Sequence, residues 1–276
     1  RDGLWQFVVR GCKFTGCENG VGTYVTYPLA GHIGIEIVTS EKNTTVIGCR
    51  FNGLNYGIGA FQPDTALLEN NNFTVSNNGV GIAFGGPFDK VSDCLIRNNV
   101  FLEGQSISAS KITFENNTIR SAYEDSNFAI SCYNSARILN NTISTSGDHY
   151  YYYGIHTSFQ GGNVVLEVSG NNVSNVMEGI SAADGANTGT IDIRIENNSI
   201  NSTYMGMYFN GYVYNQKTVD LKIAGNNIRA IEGIEIYWYE KIQFDISDNY
   251  FNTSYDGIRF NNLKSTPGSN ITNNTF

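Results

Sequence analysis

Three acidic residues occupy the same place in a recurring phrase, directly before a Gly-Ile dipeptide: Glu178, Glu232 and Asp256. Hydrolysis of a glycosidic bond needs two carboxyl groups, about 5 Å apart for retention of configuration or about 6.5–9.5 Å apart for inversion. Two close carboxylates also raise the pKa of one of them, which keeps an acid protonated near neutral pH. The spacing favours Asp256 and Glu232 as such a pair, with Glu178 as an inverting alternative. An acidic residue before Gly-Ile is also frequent in purely structural turns, and that interpretation stays open.

Histidine adds a second kind of acid or base to this part of the chain. His156 follows the next Gly-Ile upstream, and Asp148 precedes a run of four tyrosines just before it. We consider His156 a positioning or acid–base group and Asp148 its companion, because histidine titrates near physiological pH. The alternative is an exposed histidine without a role.

Aromatic and polar side chains gather around the same phrases in the second half of the chain. Aromatic faces beside hydrogen-bonding groups suit sugar rings, which have apolar faces and polar rims. We therefore expect substrate to be bound by the following residues: Tyr152, Tyr208, Glu235, Tyr237, Trp238 and Arg259. The alternative is an aromatic ladder that only stabilises a parallel sheet.

A repeat must position these side chains. A phrase such as Ile195-Glu196-Asn197-Asn198-Ser199-Ile200, followed by a short turn and a Gly-Ile-like strand, recurs about every 26 residues. Its second polar position aligns as Cys12, Cys49, Asn72, Asn99, Asn117, Asn141, Asn172, Asn198, Asn227, Asn249 and Asn274. A period of this length that tolerates insertions is typical of a solenoid, and the insertions become loops.

Apolar and polar residues alternate within each phrase, as expected for a strand with one buried face. Stacked coils would place equivalent Asn side chains about 4.8 Å apart, so that they hydrogen-bond along the axis. The sequence thus predicts an all-β fold, a single-stranded right-handed parallel β-helix of about eleven coils with an Asn ladder. On these repeats the chain resembles the pectin-lyase-like parallel β-helix superfamily.

This resemblance implies carbohydrate chemistry but gives no complete catalytic motif. Asp256-Gly257-Ile258 is similar to the Asp-Gly-Ile of polygalacturonase-type hydrolases, but the paired aspartates, Gly-His-Gly and Arg-x-Lys of those enzymes have no counterparts here. The repeat style is similar to that of archaeal and bacterial surface proteins, including disaggregatases. We expect a glycoside hydrolase acting on an extracellular or cell-envelope polysaccharide. The alternatives are a non-catalytic adhesin or glycan-binding spacer, and a polysaccharide lyase.

Composition and net charge limit the classes of partner that the chain can bind. A net charge of −8 without a Lys/Arg cluster disfavours nucleic acid, and no apolar run reaches the length of a membrane span. We expect residues 1–276 to form one domain, a fragment of a longer secreted or cell-surface protein with further domains. No metal-binding motif occurs and no cofactor is expected, although calcium at scattered groups such as Asp184 or Asp220 is left open. Cys12 and Cys49 are expected on adjacent coils, as free thiols or a bridge.

Overall fold

The protein is described here from a computed structural model. It describes residues 6–15, 21–22, 33–37, 43–61, 65–85, 94–102, 105–121, 128–145, 152–159, 163–184, 189–211, 218–237, 239 and 241–276. In these ranges all regular structure is β, and every strand pair is parallel. The strands are, in chain order, β1 (Gln6–Arg10), β2 (Lys13–Thr15), β3 (Val21–Gly22), β4 (Ile33–Ile37), β5 (Asn43–Ile47), β6 (Arg50–Phe61), β7 (Ala66–Glu69), β8 (Asn72–Gly85), β9 (Cys94–Arg97), β10 (Val100–Leu102), β11 (Gln105–Glu115), β12 (Thr118–Ser121), β13 (Phe128–Leu139), β14 (Thr142–Thr145), β15 (Tyr153–Phe159), β16 (Val164–Ser169), β17 (Asn172–Asp184), β18 (Thr190–Glu196), β19 (Ser199–Asn210), β20 (Thr218–Ala224), β21 (Asn227–Ala230), β22 (Glu232–Tyr237), β23 (Ile242–Ser247), β24 (Tyr250–Thr253), β25 (Ile258–Asn261) and β26 (Asn270–Thr272).

Each coil contributes three strand segments, which stack into three faces. The first face contains β16, β18, β20 and β23, and it ends at the Asn ladder. The second face contains the start of β19, then β21 and β24, and the third contains the end of β19, then β22 and β25. Long strands such as β17 and β19 bend from the second face to the third. The predicted fold class, an all-β parallel β-helix, is confirmed.

Apolar residues at alternate strand positions fill the centre of the solenoid. On the second face Phe14, Phe51, Phe73 and Phe101 stack with ring centroids 4.9, 4.7 and 4.8 Å apart. These separations are close to the spacing of neighbouring strands, so one ring from each coil forms a continuous column. The hydrophobic periodicity of the sequence is therefore the periodicity of one core.

The two polar residues of each phrase have different structural roles. The first adopts a left-handed backbone, as in Asn140 and Asn197 with φ of 54° and 57°, a conformation that Asn and Gly tolerate best. The second is buried and bonds its neighbours. Asn141 Nδ2 donates to Asn171 Oδ1 (2.9 Å) and to Phe114 O (2.9 Å), while Asn141 Oδ1 accepts from the backbone N–H of Asn117 (2.9 Å).

Three ladder positions differ from the prediction by one residue. The structure places Asn71, Asn171 and Asn226 in the ladder, whereas the predicted Asn72, Asn172 and Asn227 begin the next strands, β8, β17 and β21. Those phrases contain a further polar residue, so the pair could be aligned in two ways. The deciding feature is the core residue, which lies two positions after the buried Asn.

The regular part of the solenoid is shorter than the eleven coils predicted from the phrase count. Eight ladder asparagines, from Asn71 to Asn249, are each 1% exposed and bound a solenoid of about seven turns. The phrase count was larger because it included the ends. Cys12 and Cys49 stand in place of asparagine there, and Asn274 is only partly buried.

Cys49, which lies one coil before Asn71, still takes part in the ladder. The backbone N–H of Cys49 donates to Asn71 Oδ1 at 2.9 Å, as an asparagine would. Cys12 and Cys49 are free thiols, the first exposed and the second buried.

Across the described residues we find no helix with the length and apolar character of a membrane span.

Candidate active site on the third face

Strand pairing aligns the candidate residues into three rows that run along the helix axis on the third face. The row before glycine contains Phe128, Tyr153, Glu178, Met205 and Glu232. The row after isoleucine contains Ser131, His156, Ser181, Tyr208, Glu235 and Arg259. Two residues further, the third row contains Tyr133, Ser158, Ala183, Asn210, Tyr237 and Asn261. Aromatic residues begin the first row, and charged residues stand at the C-terminal end of the first two rows.

Glycine is required by close stacking at Gly179, which lies between Glu178 of the first row and Ile180. A Cβ at Gly179 would lie 2.4 Å from Ile200 Cγ2 and 2.5 Å from the carbonyl oxygen of Gly206. Any side chain there would push two coils apart. Glycine thus fixes the spacing between the coil that carries Glu178 and the next one.

Glu178 is the most perturbed acid among the described residues. Its side chain is 6% exposed, it receives a hydrogen bond from the Tyr152 phenol, and its Oε2 has no partner. Burial raises the pKa of Glu178 to about 7, the Tyr152 hydrogen bond lowers it, and the charge of Glu235 raises it. A carboxyl group with this pKa exchanges its proton near neutral pH, as a general acid must.

An aromatic patch borders Glu178. The ring of Tyr153 lies 5.2 Å from that of Phe128 and 4.9 Å from the imidazole of His156, and Tyr152 packs against Tyr153 at 4.5 Å. Burial lowers the pKa of His156 to about 4, and its Nδ1 has no hydrogen-bond partner. His156 is therefore neutral at pH 7, and its unpartnered Nδ1 is shielded from solvent.

A second carboxylate group lies toward the C-terminal end of the same face. Glu235 Oε1 is 3.8 Å from Arg259 Nε and accepts a hydrogen bond from Asn261 Nδ2 at 3.3 Å. Arg259 also reaches Glu232, with Nη1 4.0 Å from Oε1. Glu235 is thus fixed by two neighbours from the next coil and has positive charge beside it.

Tyr208 lies on the coil between Glu178 and Glu235. Burial raises its pKa, and the charges of Glu235 and Glu178 raise it further. Glu178 and Glu235 belong to coils two apart, which puts their strands about 10 Å from each other. Both carboxyl groups face one surface and influence the same phenol.

The sequence also matches a known family. Residues 5–167 match the right-handed β-helix region. The chain belongs to the right-handed β-helix family. No curated protein and no solved structure matches it. Right-handed β-helix proteins include polysaccharide-degrading enzymes and also proteins without enzymatic activity, so family membership leaves the activity of this β-helix protein to be argued from its site.

The residues proposed from sequence are distributed as follows. Glu178 and Glu232 lie in one row, both buried, and Asp256 lies one coil further, where its carbonyl oxygen accepts from the N–H of Gly233 at 2.7 Å. His156, Tyr208, Glu235, Tyr237 and Arg259 share the face, and Tyr152 borders it. Asp148 and Trp238 lie outside the described residues.

Two features of the site were not predicted. Glu235 was proposed as a sugar contact, yet its charge acts on Glu178, and Phe128 was not considered although its ring packs on Tyr153 and His156. Phe128-Ala129-Ile130 carries alanine where later coils have glycine, which hid its place in the row. Among the described residues, no group of three or more His, Cys, Asp or Glu side chains that could hold a metal is found.

Proposed function

We propose that this β-helix protein is a glycoside hydrolase that acts on an extracellular or cell-envelope polysaccharide, with Glu178 as general acid and Glu235 as general base. The observation that carries the proposal is Glu178, a buried carboxyl group beside an aromatic patch, with a pKa raised to about 7. Perturbed acids in such surroundings are typical of catalytic sites.

The chemistry follows from the two different environments. Glu178 donates its proton to the glycosidic oxygen as the bond to the anomeric carbon breaks. Glu235, with Arg259 3.8 Å away, accepts a proton from the water that attacks the opposite side of that carbon. The strands that carry the two groups are about 10 Å apart, and Glu235 lies three residues beyond Glu232, the residue aligned with Glu178. The two side chains must therefore converge on the bound sugar to reach the separation of about 6.5–9.5 Å that inversion requires, and inversion is the proposed outcome.

The surrounding side chains suit the binding of a sugar chain. Tyr152, Tyr208 and Tyr237 offer aromatic rings along the axis, and neutral His156 lies at the side of the patch. A rod of stacked coils presents these groups in a line, as an extended polysaccharide requires. We propose a secreted or cell-surface location on the same grounds.

The pair of Asp256 and Glu232 remains a second proposal for the acid and base. Glu232 is 9% exposed and lies 4.0 Å from Arg259, so it belongs to the same charged group as Glu235. Asp256 follows it on the next coil, a spacing that fits a retaining mechanism.

The test is release of reducing ends from a panel of polysaccharides first screened for binding. Glu178→Gln and Glu235→Gln should each lower release about 10²–10⁴-fold with binding retained. The matched control is Glu167→Gln, which alters an exposed ion pair with Arg137 on the first face. Proton NMR of the first anomer formed distinguishes inversion from retention.

Each other outcome replaces the proposal with a specific alternative. Loss of release in Asp256→Asn, with Glu178→Gln active, would assign the chemistry to the Glu232 pair. An unsaturated product, seen by ultraviolet absorbance, would indicate a lyase. Binding without release by any version would establish a non-catalytic glycan-binding protein.

A further inference from the structure

A polar cleft lies around the bend from the third face, where the second face ends. Its volume is about 250 Å³, and its polar lining includes Asn201, Ser202, Thr203, Arg229, Asn252 and Ser254. These residues come from three consecutive coils, because Asn201 pairs with Arg229 and Arg229 with Asn252. The cleft is thus formed by the stacking of three consecutive coils.

One residue that lines the cleft has a buried hydroxyl without a hydrogen-bond partner. Ser202 is 7% exposed, and its Oγ is unpartnered although it is shielded from solvent. Ser202 alternates with the exposed Asn201 and Thr203 and pairs with the buried Val176, so its hydroxyl lies on the core side of the cleft wall and the exposed side chains form the surface of the cleft. The neighbouring hydroxyl of Thr203 instead donates to the carbonyl oxygen of Val176 at 3.3 Å.

The charge of the cleft is positive. Arg229 is its one ionisable lining residue, and no carboxylate is among the lining residues in the described part of the chain. Elsewhere on the described surface, exposed cations such as Arg137, Arg194 and Lys222 are paired with acids. Arg229 makes no such pair in the described residues, although the whole chain has a net charge of −8.

We propose that this cleft binds a tetrahedral oxyanion, a sulfate or phosphate group, through Arg229 and the exposed hydroxyl and amide groups of Asn201, Asn252 and Ser254. A guanidinium group bonds such anions through several N–H donors, and donors from three coils reach oxygens that point in different directions. The cleft borders the candidate active site, since Ile231 is followed directly by Glu232. An anionic substituent on a saccharide bound across the third face would enter it; this last step alone rests on the proposed function.

The test is titration of the full chain with inorganic sulfate and with inorganic phosphate, followed by calorimetry and by NMR. Saturable binding should weaken roughly tenfold in Arg229→Gln. The matched control is Arg120→Gln, because Arg120 is exposed in the same row of the second face, on a coil that contributes nothing to the cleft. Glu178→Gln should bind both anions as the unaltered chain does.

The outcomes separate this site from the hydrolase proposal. Binding that depends on Arg229 supports the cleft even if no polysaccharide is cleaved, and comparison of a sulfated with a phosphorylated oligosaccharide then identifies the group it takes. Equal binding by Arg229→Gln and Arg120→Gln, or no saturation by either anion, would overturn the proposal. Circular dichroism of each variant checks that the coils are intact.

Discussion

Replacing Glu178 by glutamine tests its environment without any substrate. The pKa of Glu178 is raised from an ordinary value of 4.5 to about 7, first because the group is buried. Between these two pH values the folded chain holds the proton while the unfolded chain has released it. The contribution of Glu178 to the free energy of unfolding therefore falls as pH rises through this window, by about 1.4 kcal/mol per pH unit and about 3 kcal/mol in all.

Glutamine has nearly the same shape but never ionises. We therefore expect the free energy of unfolding of Glu178→Gln, relative to the unaltered chain, to increase by about 3 kcal/mol between pH 4 and pH 8. Urea unfolding followed by far-ultraviolet circular dichroism at several pH values measures this difference. Below pH 4.5 both chains carry a neutral side chain, so the difference there is due to packing alone.

Two further variants make the reasoning refutable. Tyr152→Phe removes the hydrogen bond that lowers the pKa of Glu178, so stability should fall more steeply near pH 7. Glu235→Gln removes the charge that raises this pKa, so the fall in stability should end at a lower pH. A difference between Glu178→Gln and the unaltered chain that stays constant from pH 4 to pH 8 would show that Glu178 is not desolvated.

Three other predictions address the aromatic patch, the ladder and the coil spacing. Because burial lowers the pKa of His156 to about 4, the contribution of His156 to stability should be lost as pH drops from 6.5 to 4; the free energy of unfolding of His156→Gln, relative to the unaltered chain, should therefore rise over that drop in urea titrations, and a constant difference would contradict it. Asn141→Ala leaves the N–H of Asn117 and the carbonyl of Phe114 without partners, and it should cost about 3–6 kcal/mol by urea unfolding, against less than about 1 kcal/mol for Asn140→Gly. Gly179→Ala should lower stability by about 1–3 kcal/mol and any polysaccharide release, since its Cβ meets the next coil; a melting temperature equal to that of the unaltered chain would refute the close packing.

The sequence predicts the fold well because the repeat encodes it at every coil. Alternation of apolar residues defines the buried face of each strand, and the Gly-Ile dipeptide aligns the third face, so that His156, Ser181, Tyr208 and Glu235 follow in register. The ladder positions were harder to predict than the strands, because Asn71 and Asn72 are chemically equivalent in the sequence. They differ only in the side of the bend on which each lies.

The candidate site was predicted only as a set of residues. Spacing along the chain indicated that Glu178 and Glu232 share a row, but it could not indicate how deeply each is buried or which charge acts on which acid. The difference between Glu178 and Glu235 comes from three-dimensional surroundings, namely the Tyr152 phenol on one side and Arg259 with Asn261 on the other. Those partners come from neighbouring coils whose intervening segments vary in length.

Because of the buried asparagines, the number of residues in a coil does not affect the spacing between coils along the axis. The number of residues between consecutive ladder asparagines ranges from 18, between Asn99 and Asn117, to 30, between Asn141 and Asn171, and yet each step bonds with the same geometry. Residues can therefore be gained or lost in the loops of one coil without moving the side chains of the next. Binding specificity can change loop by loop on such a rod, while the distance between Glu178 and Glu235 stays constant.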